Sequence, residues 1–382
     1  MFKTTQQVLQ KVVSSTTTTA TTTATTTAAT STQKRVRLRD YVKSFMSSDG
    51  RFRVSLIDNS DSLKSFISRF HMNPQSNPVH HQASQLMGQC ISASMLLSSL
   101  LKGEERIKLE INLHSDHPSI HHVVAEAIQV GEVRGFVSYK ENPKDFVDNE
   151  LNSVFSVSRI LMEHSKPVVS SLPLLMQGAD NVDLKKDFQE FFDKSEQIPT
   201  ACTLVCKPNQ AAEWTQESSS LEGSSSTNST KQASSPPPLI SYGVIIQRLP
   251  MSEYNNTINA NIQSSVVEEQ LQDYQRKLME LEDKIATRQD IHEHLFYKFF
   301  ITEDASTVRY KPIDYYCRCS KDKVLEAVSH VGLEELIDMR REIVEGGRET
   351  FDSTCEYCNN TYHIDEVDLG MLIVKASGTK QD

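Results

Sequence analysis

What the sequence lacks narrows it first. No apolar run approaches the roughly 18 to 20 residues that a helix needs to cross a bilayer; the best stretch, SMLLSSLL at 94–101, falls far short. There is no G-x-G-x-x-G, no P-loop and no Ser-His-Asp order, so the common signatures of dinucleotide, nucleotide and triad enzymes are missing. Excess basic charge is also missing. With a net charge of −10 the chain exerts no long-range pull on nucleic acid or anionic lipid. Cysteine is scarce, at seven in 382 residues, yet four of the seven stand together in one C-x-C and one C-x-x-C near the C-terminus.

A further absence is local. Residues 1–39 hold no Asp or Glu, while Lys3, Lys11, Lys34, Arg35, Arg37 and Arg39 are basic and the middle is nearly pure Thr, Ala and Ser. Such a segment cannot bury enough apolar surface to fold. Its first residues, MFKTTQQVLQKVV, suit a short basic amphipathic helix, so 1–45 is expected to be a disordered Thr-rich leader with the character of a mitochondrial transit peptide. The alternative is a low-complexity tail without an address, on a cytoplasmic protein.

The remaining chain is long enough, and at 38% hydrophobic residues apolar enough, for more than one domain. An α+β core is expected over 50–250. RFRVSLID, IKLEINL, HHVVAEAIQ and VRGFVSY have strand character; SLKSFISRF suits a short helix. HQASQLMGQCISASMLLSSLLKG suits a long one, with Leu86, Met87, Cys90, Ile91, Leu97 and Leu101 buried and Gly103 as its stop. LKKDFQEFFDKSEQIPTACTLVCKP offers a helix followed by a strand. These elements interleave irregularly, which favours α+β over a regular βαβ array.

Residues 208–238 turn to Ser, Thr, Gln, Glu and Pro, an insert that interrupts a hairpin joining TACTLVC to YGVIIQR. Cys202 and Cys206 share strand parity and so share a face, but four residues of strand hold them about 13 Å apart, too far for a direct disulfide. In 251–312, a helical linker, the apolar positions Val267, Leu271, Tyr274, Leu278, Leu281 and Ile285 advance by fours and threes, one narrow stripe on a charged helix. The stripe must pack, either on the upstream domain or on a second copy in a dimer.

The last unit, 313–376, holds YYCRCSKDK (315–323) and STCEYCNNTYH (353–363). Cys317, Cys319, Cys355 and Cys358 supply four soft donors in two close pairs, the donor set of a tetrahedral zinc site. One Zn²⁺ per chain would clip together the helices expected at KDKVLEAVSHV and LEELIDMRREIVEG, in a unit too small to be stable without a staple. His363 lies nearby but is not needed as a ligand. Bound thiolates are also what an oxidant attacks, and each pair has a resolving partner beside it.

These residues resemble the heat shock protein 33 family of redox-regulated chaperones. The C-x-C and C-x-x-C pairs are similar to its redox-switch zinc domain. FFDKSEQIPT (191–200) resembles its S-E-Q-x-P-T motif and EVRGFV (132–137) its V-R-G-Y segment, while the long helix and following strand resemble its first domain. The resemblance covers about 50–375, excluding the insert. It implies a holdase without ATP, inactive when reduced and zinc-bound, activated when oxidation forms the pairs Cys317–Cys319 and Cys355–Cys358, expels zinc and unfolds the small unit and linker. Unfolded client proteins would be the partners, with room for a homodimer on activation. The leader and the insert are extra to the family pattern, and LHSDHPSIHH stands where the family often has a Gly-rich turn.

Two rival classes fit less well. A zinc-ribbon nucleic-acid binder wants basic residues at its metal, yet residues 317–382 carry 14 acidic against 8 basic side chains. A thiol-disulfide oxidoreductase wants C-x-x-C at a helix start in a thioredoxin-like βαβ setting; here it stands in a turn rich in Thr, Asn and Tyr. An enzyme is not expected, nor a nucleic-acid or membrane partner.

Overall fold

Alternating and fully apolar strands in this chain build two sheets around one long helix, antiparallel throughout except where the edge strand Asp314–Tyr315 runs parallel to its neighbour. The computed structural model describes residues 39–113, 118–140, 153–161, 166–175, 183–211, 237–250, 264–299, 303–347 and 349–378. Residues 1–38 of the leader, the core of the Ser-rich insert, residues 251–263 and residues 114–117 of the LHSDHPSIHH stretch lie outside the described residues.

The chain begins with strands β1 (Tyr41–Met46) and β2 (Phe52–Asp58), then helices α1 (Ser60–Arg69) and α2 (Pro78–Ser98). Next come β3 (Arg106–Asn112), β4 (Ile120–Ile128), β5 (Glu132–Tyr139), β6 (Val154–Ile160) and β7 (Val168–Pro173). Helix α3 (Lys185–Glu190) runs on as a π-helix over Phe191–Glu196, followed by β8 (Thr200–Pro208) and β9 (Leu239–Arg248). Helix α4 (Ser264–Lys284), the short α5 (Arg288–Asp290) with its π-helical continuation Ile291–Lys298, and strands β10 (Arg309–Pro312) and β11 (Asp314–Tyr315) complete the large part.

One sheet has the order β10-β1-β2-β9-β8 and the other β11-β5-β4-β3-β6-β7. Helix α2 lies between them. Its N-terminus is set by Pro78 in the first turn and by Asn77, whose side chain accepts from the Val79 and His80 amides. From Ala83 to Ser98 every residue but Gln85 is buried, so this helix has no solvent face. That close fit needs a glycine: a Cβ on Gly88 would lie 2.7 Å from Cys206 Sγ and 2.9 Å from Ser241 Oγ.

Strand β9 shows how the period of two divides the interior. Leu239 and Ile245 join the core around α1 and α2, while Ile240, Tyr242, Val244 and Ile246 join a second core under α4. Val267, Leu271, Leu278 and Ile285 are buried in that second core, with Tyr274 and Leu281 half-buried against it. The stripe therefore docks within its own chain. Cys202 and Cys206 lie on one face of β8, in the α2 core, as their parity requires.

Several expectations need correction. The folded part starts at Tyr41 rather than near residue 50, because β1 pairs with β2 and with β10, a partner some 270 residues later that no local pattern reveals. The linker is not helical throughout. Its Arg309–Pro312 is a sheet strand, and Ile291, Leu295 and Phe296 are core residues. Helix α2 ends at Ser98, before Gly103, which instead takes φ +58° in the turn into β3. Strands β6 and β7, absent from the sequence expectations, extend the second sheet as an antiparallel meander.

A buried ionic cluster ties the linker segment to the first strands. Arg288 reaches Asp40 (2.6 Å), Asp58 (2.7 Å) and Asp61 (2.7 Å), and His292 Nε2 lies 2.9 Å from Asp58. Asp40 in turn accepts from the Asp61 and Ser62 amides at the start of α1. Burial, with Asp58 close by, pushes the Asp40 carboxyl up to about 8, so a single guanidinium serves a group of carboxyls that cannot all ionise at low cost.

Candidate metal centre

The candidate metal site is assembled from two segments that the strands beside them bring together. Cys317 and Cys319 follow β11 closely, two apart, and both sulfurs reach the same cluster. The other pair sits in a hairpin. Strands β12 (Phe351–Thr354) and β13 (Thr361–Ile364) pair antiparallel, and the chain between them turns back on itself. In that turn Cys355 N donates to Asn360 O (2.9 Å), while Cys358 N and Asn359 N donate to Cys355 O at 3.3 and 2.8 Å. Asn359 takes the left-handed conformation, φ +59°, which asparagine tolerates better than most residues.

The four sulfurs lie within 4.8 Å of one another. Cys317 and Cys355 are 3.8 Å apart and Cys319 and Cys358 3.3 Å, so each of these contacts joins one motif to the other. A tetrahedral zinc ion with bonds of roughly 2.3 Å would set its sulfurs about 3.8 Å apart. The donor set, spacing and partial burial fit such an ion. His363 stays outside, exposed and 2.7 Å from the Asp352 carboxylate.

The electrostatics call for a cation. Burial works against ionisation of Cys319, yet the Tyr362 hydroxyl, 3.0 Å away, and the neighbouring thiols bring it down to about 7. Cys358 and Cys355 go the opposite way, raised first by burial and then by neighbouring sulfur charge. Four sulfurs this close cannot all be thiolates unless a dication sits among them.

Around the sulfurs, the small unit is docked on the large sheets. Arg134 of β5 donates toward Cys317 Sγ (3.7 Å), pairs with Glu126 (2.8 Å) and stacks 4.2 Å from the ring centre of Tyr357, one of the two residues between Cys355 and Cys358. Tyr315 OH bridges the carbonyls of Gly135 (2.8 Å) and Tyr357 (2.9 Å). Asn359 donates to Arg69 O (3.0 Å), and Arg318 pairs with Glu132 (2.5 Å). Gly135 itself serves the packing behind β5: a Cβ there would stand 2.4 Å from Val124 O and 2.9 Å from Met87 Sδ. Sequence reasoning picked out EVRGFV, YYCRC and CEYC as motifs but missed that Arg134, Tyr315 and Tyr357 meet. Their signal was position inside those motifs, without anything to pair them.

Helices α6 (Lys321–Val328), α7 (Leu333–Gly346) and α8 (Glu366–Gly378) complete the small unit. Its own core is modest, with Leu336, Ile343, Ile364 and Leu369 buried, which agrees with a need for a metal staple.

Fold and site together define an α+β protein that carries a four-cysteine cluster, fit for a tetrahedral metal, against the edge of its central sheets. A family model described as Hsp33 protein matches residues 40–365, and the chain belongs to that family. It is 25% identical over 343 residues to the 33 kDa chaperonin of Geobacillus sp. (strain WCH70), covering 88% of this chain and 97% of the relative. The 33 kDa chaperonin of Bacillus velezensis (strain DSM 23117 / BGSC 10A6 / LMG 26770 / FZB42) is 26% identical over 341 residues, covering 87% and 98%. Among solved structures, the 33 kDa chaperonin (heat shock protein 33 homolog) of Thermotoga maritima matches with TM-score 0.60 at 19% identity, over 89% of this chain and all of that one. That likeness is one of fold.

Proposed function

We propose that this protein is a redox-regulated holdase chaperone that works without ATP and is not an enzyme. In the reduced state Cys317, Cys319, Cys355 and Cys358 would hold one Zn²⁺, which would supply charge neutralisation and a clip worth about 10 to 16 kcal/mol to the small unit. Peroxide then takes two electrons from each pair of thiols, forming Cys317–Cys319 and Cys355–Cys358, with two water molecules produced per disulfide. Four thiolate ligands are lost and zinc leaves.

The observation that carries the proposal is the docking of the cysteine turn on β5. Arg134, Tyr315 and Tyr357 join the sulfur cluster directly to the sheet that packs on α2. When metal loss withdraws the folding energy of the small unit, the contacts at β5 and the linker go with it. The stripe Val267, Leu271, Tyr274, Leu278, Leu281 and Ile285, and the sheet face beneath it, then become available to unfolded clients. In the proposed division, 50–250 forms the chaperone core, 251–312 the releasable linker and 313–376 the switch.

The leader points to mitochondria as the site of action, and the mature protein is expected to start close to the first strand. Among the described residues no helix is long and apolar enough to cross a membrane. The decisive test measures zinc content, free thiols and suppression of client aggregation before and after peroxide, without ATP. Oxidised protein should lose its zinc, about four thiols and part of its helix signal, and should hold the client; reductant and zinc should reverse all of this. Equal protection by both forms at equal zinc content would reduce the cysteines to a structural clip.

A further inference from the structure

Strand β8 is the last strand of its sheet, and such an edge presents a row of backbone groups with no strand to pair them. In this protein the row is closed by glutamine side chains. Gln189 of α3 donates to Thr200 O (2.8 Å), Gln89 of α2 to Leu204 O (3.4 Å) and Gln85 of α2 to Cys206 O (3.4 Å). At Cys202 both backbone groups are taken: its N–H donates to Gln275 Oε1 (2.9 Å) and its carbonyl accepts from Gln275 Nε2 (3.1 Å). These are alternate residues, the set that turns away from β9.

Gln275 differs from the other three in where it stands. It belongs to α4, whereas Gln85, Gln89 and Gln189 belong to helices packed into the inter-sheet core. Its primary amide, accepting from one backbone N–H and donating to the carbonyl of the same residue, reproduces the pair of bonds that a neighbouring strand would make. Beside it, Glu282 of α4 reaches Thr203 Oγ1 (2.5 Å) and Lys185 Nζ (2.6 Å), fastening the helix along the same strand.

We propose that the β8 edge is a strand-addition site for an extended segment of an unfolded client, closed in the reduced protein by Gln275. This rests on the holdase reading above and adds how the client is gripped. When α4 leaves, the N–H and C=O of Cys202 lose their protein partner and face water at an open sheet edge, where a strand can pair with them. An extended polypeptide supplies both missing bonds whatever its sequence. Ala201 and Val205, which lie under α4 in the same strand, offer its side chains the apolar surface that the helix vacates. Backbone pairing suits a chaperone because every unfolded chain carries the same backbone.

The test is hydrogen exchange at the Cys202 amide in the full chain, in three samples: reduced and zinc-loaded, oxidised, and oxidised with heat-unfolded malate dehydrogenase. Aggregation is followed in the same samples. Exchange should speed up on oxidation and slow again by about tenfold or more with client, the worth of about one backbone hydrogen bond. Gln275→Ala should speed exchange already in the reduced protein while zinc stays at one per chain. Client held with the Cys202 amide still fast overturns the proposal alone. So does slowing without client that grows with protein concentration, which would make a second copy the occupant. Failure to hold client at all would instead sink the holdase reading, and this proposal with it.

Discussion

Two helices of the same length lie on opposite faces of one sheet, and they are built for different lives. Helices α2 and α4 are each 21 residues long. Helix α2 carries no Asp, Glu, Lys or Arg, has a glycine at its close approach to Cys206 and is buried almost all round. Helix α4 has one apolar stripe and a face of Glu, Asp, Lys and Arg in water. Removing α2 would open both sheets and leave an insoluble helix. Removing α4 uncovers one face of one sheet and leaves a helix that water tolerates on three sides. The proposed release of α4 from a fold that keeps the rest would use this asymmetry, since elements with few buried contacts are those that open at low free energy.

The comparison is broken most severely at the metal. Cys355→Ser should reduce bound zinc from one per chain to near none, because a hydroxyl is a poor replacement for thiolate, while Cys90→Ser, a buried core position, leaves zinc unchanged. Hydrogen exchange in the Cys355 variant should show α4 amides unprotected and α2 amides still protected. Loss of protection in both would mean that the two helices form one cooperative unit.

Cavities in the two helices come next in size. Leu86→Ala in α2 should cost about 3 to 5 kcal/mol of global stability, visible as a large fall in Tm. Leu278→Ala in α4 should cost about 2 to 3 kcal/mol, read mainly as easier local opening and as client binding at lower peroxide. Equal falls in Tm for the two would erase the distinction.

A smaller effect is expected where the metal unit is tethered. Arg134→Lys keeps the charge opposite Glu126 but loses the planar stack on Tyr357, so it should weaken docking by about 1 kcal/mol. Chelator-driven zinc release should then quicken several-fold with the reduced zinc content unchanged. No change in that rate would assign Arg134 to β5 alone.

The smallest concerns Asp187 of α3, whose Oδ1 accepts from the Leu175 amide while Oδ2 is buried without a partner. Burial raises its carboxyl from 3.8 to about 6. The folded chain therefore holds a proton that the unfolded chain releases from about pH 4 upward, so stability falls as pH rises from about 4 to about 6 and stays lower above. Asp187→Asn should gain about 1 kcal/mol at pH 7.5 relative to the parent and little or nothing at pH 4.5, judged from the difference in Tm. A gain that is the same at both pH values would place its origin elsewhere.

Much of the site was legible because it is local in sequence. Two cysteines at i and i+2, and two across a turn, carry their spacing with them; that the pairs meet followed from donor chemistry. The α4 stripe was legible for the same reason, since helical period shows without a partner. The β1 and β10 pairing was not, nor the edge strand β7, whose six residues VVSSLP carry no charge contrast to mark a buried face. The roles of Arg134 and Gln275 were hidden too, because a single polar side chain has no period.

By itself the sequence determined the α+β class, the four sulfur donors and the amphipathic linker helix, all of which rest on residue type and spacing within some forty positions. Tertiary structure alone decided that Tyr41 begins the fold, that Tyr357 seats on Arg134 and that Gln275 closes the β8 edge. Each of these joins residues 70 to 270 positions apart. Long-range contacts are chosen by which surfaces fit once the sheets have formed, and one-dimensional periodicity holds no record of that choice.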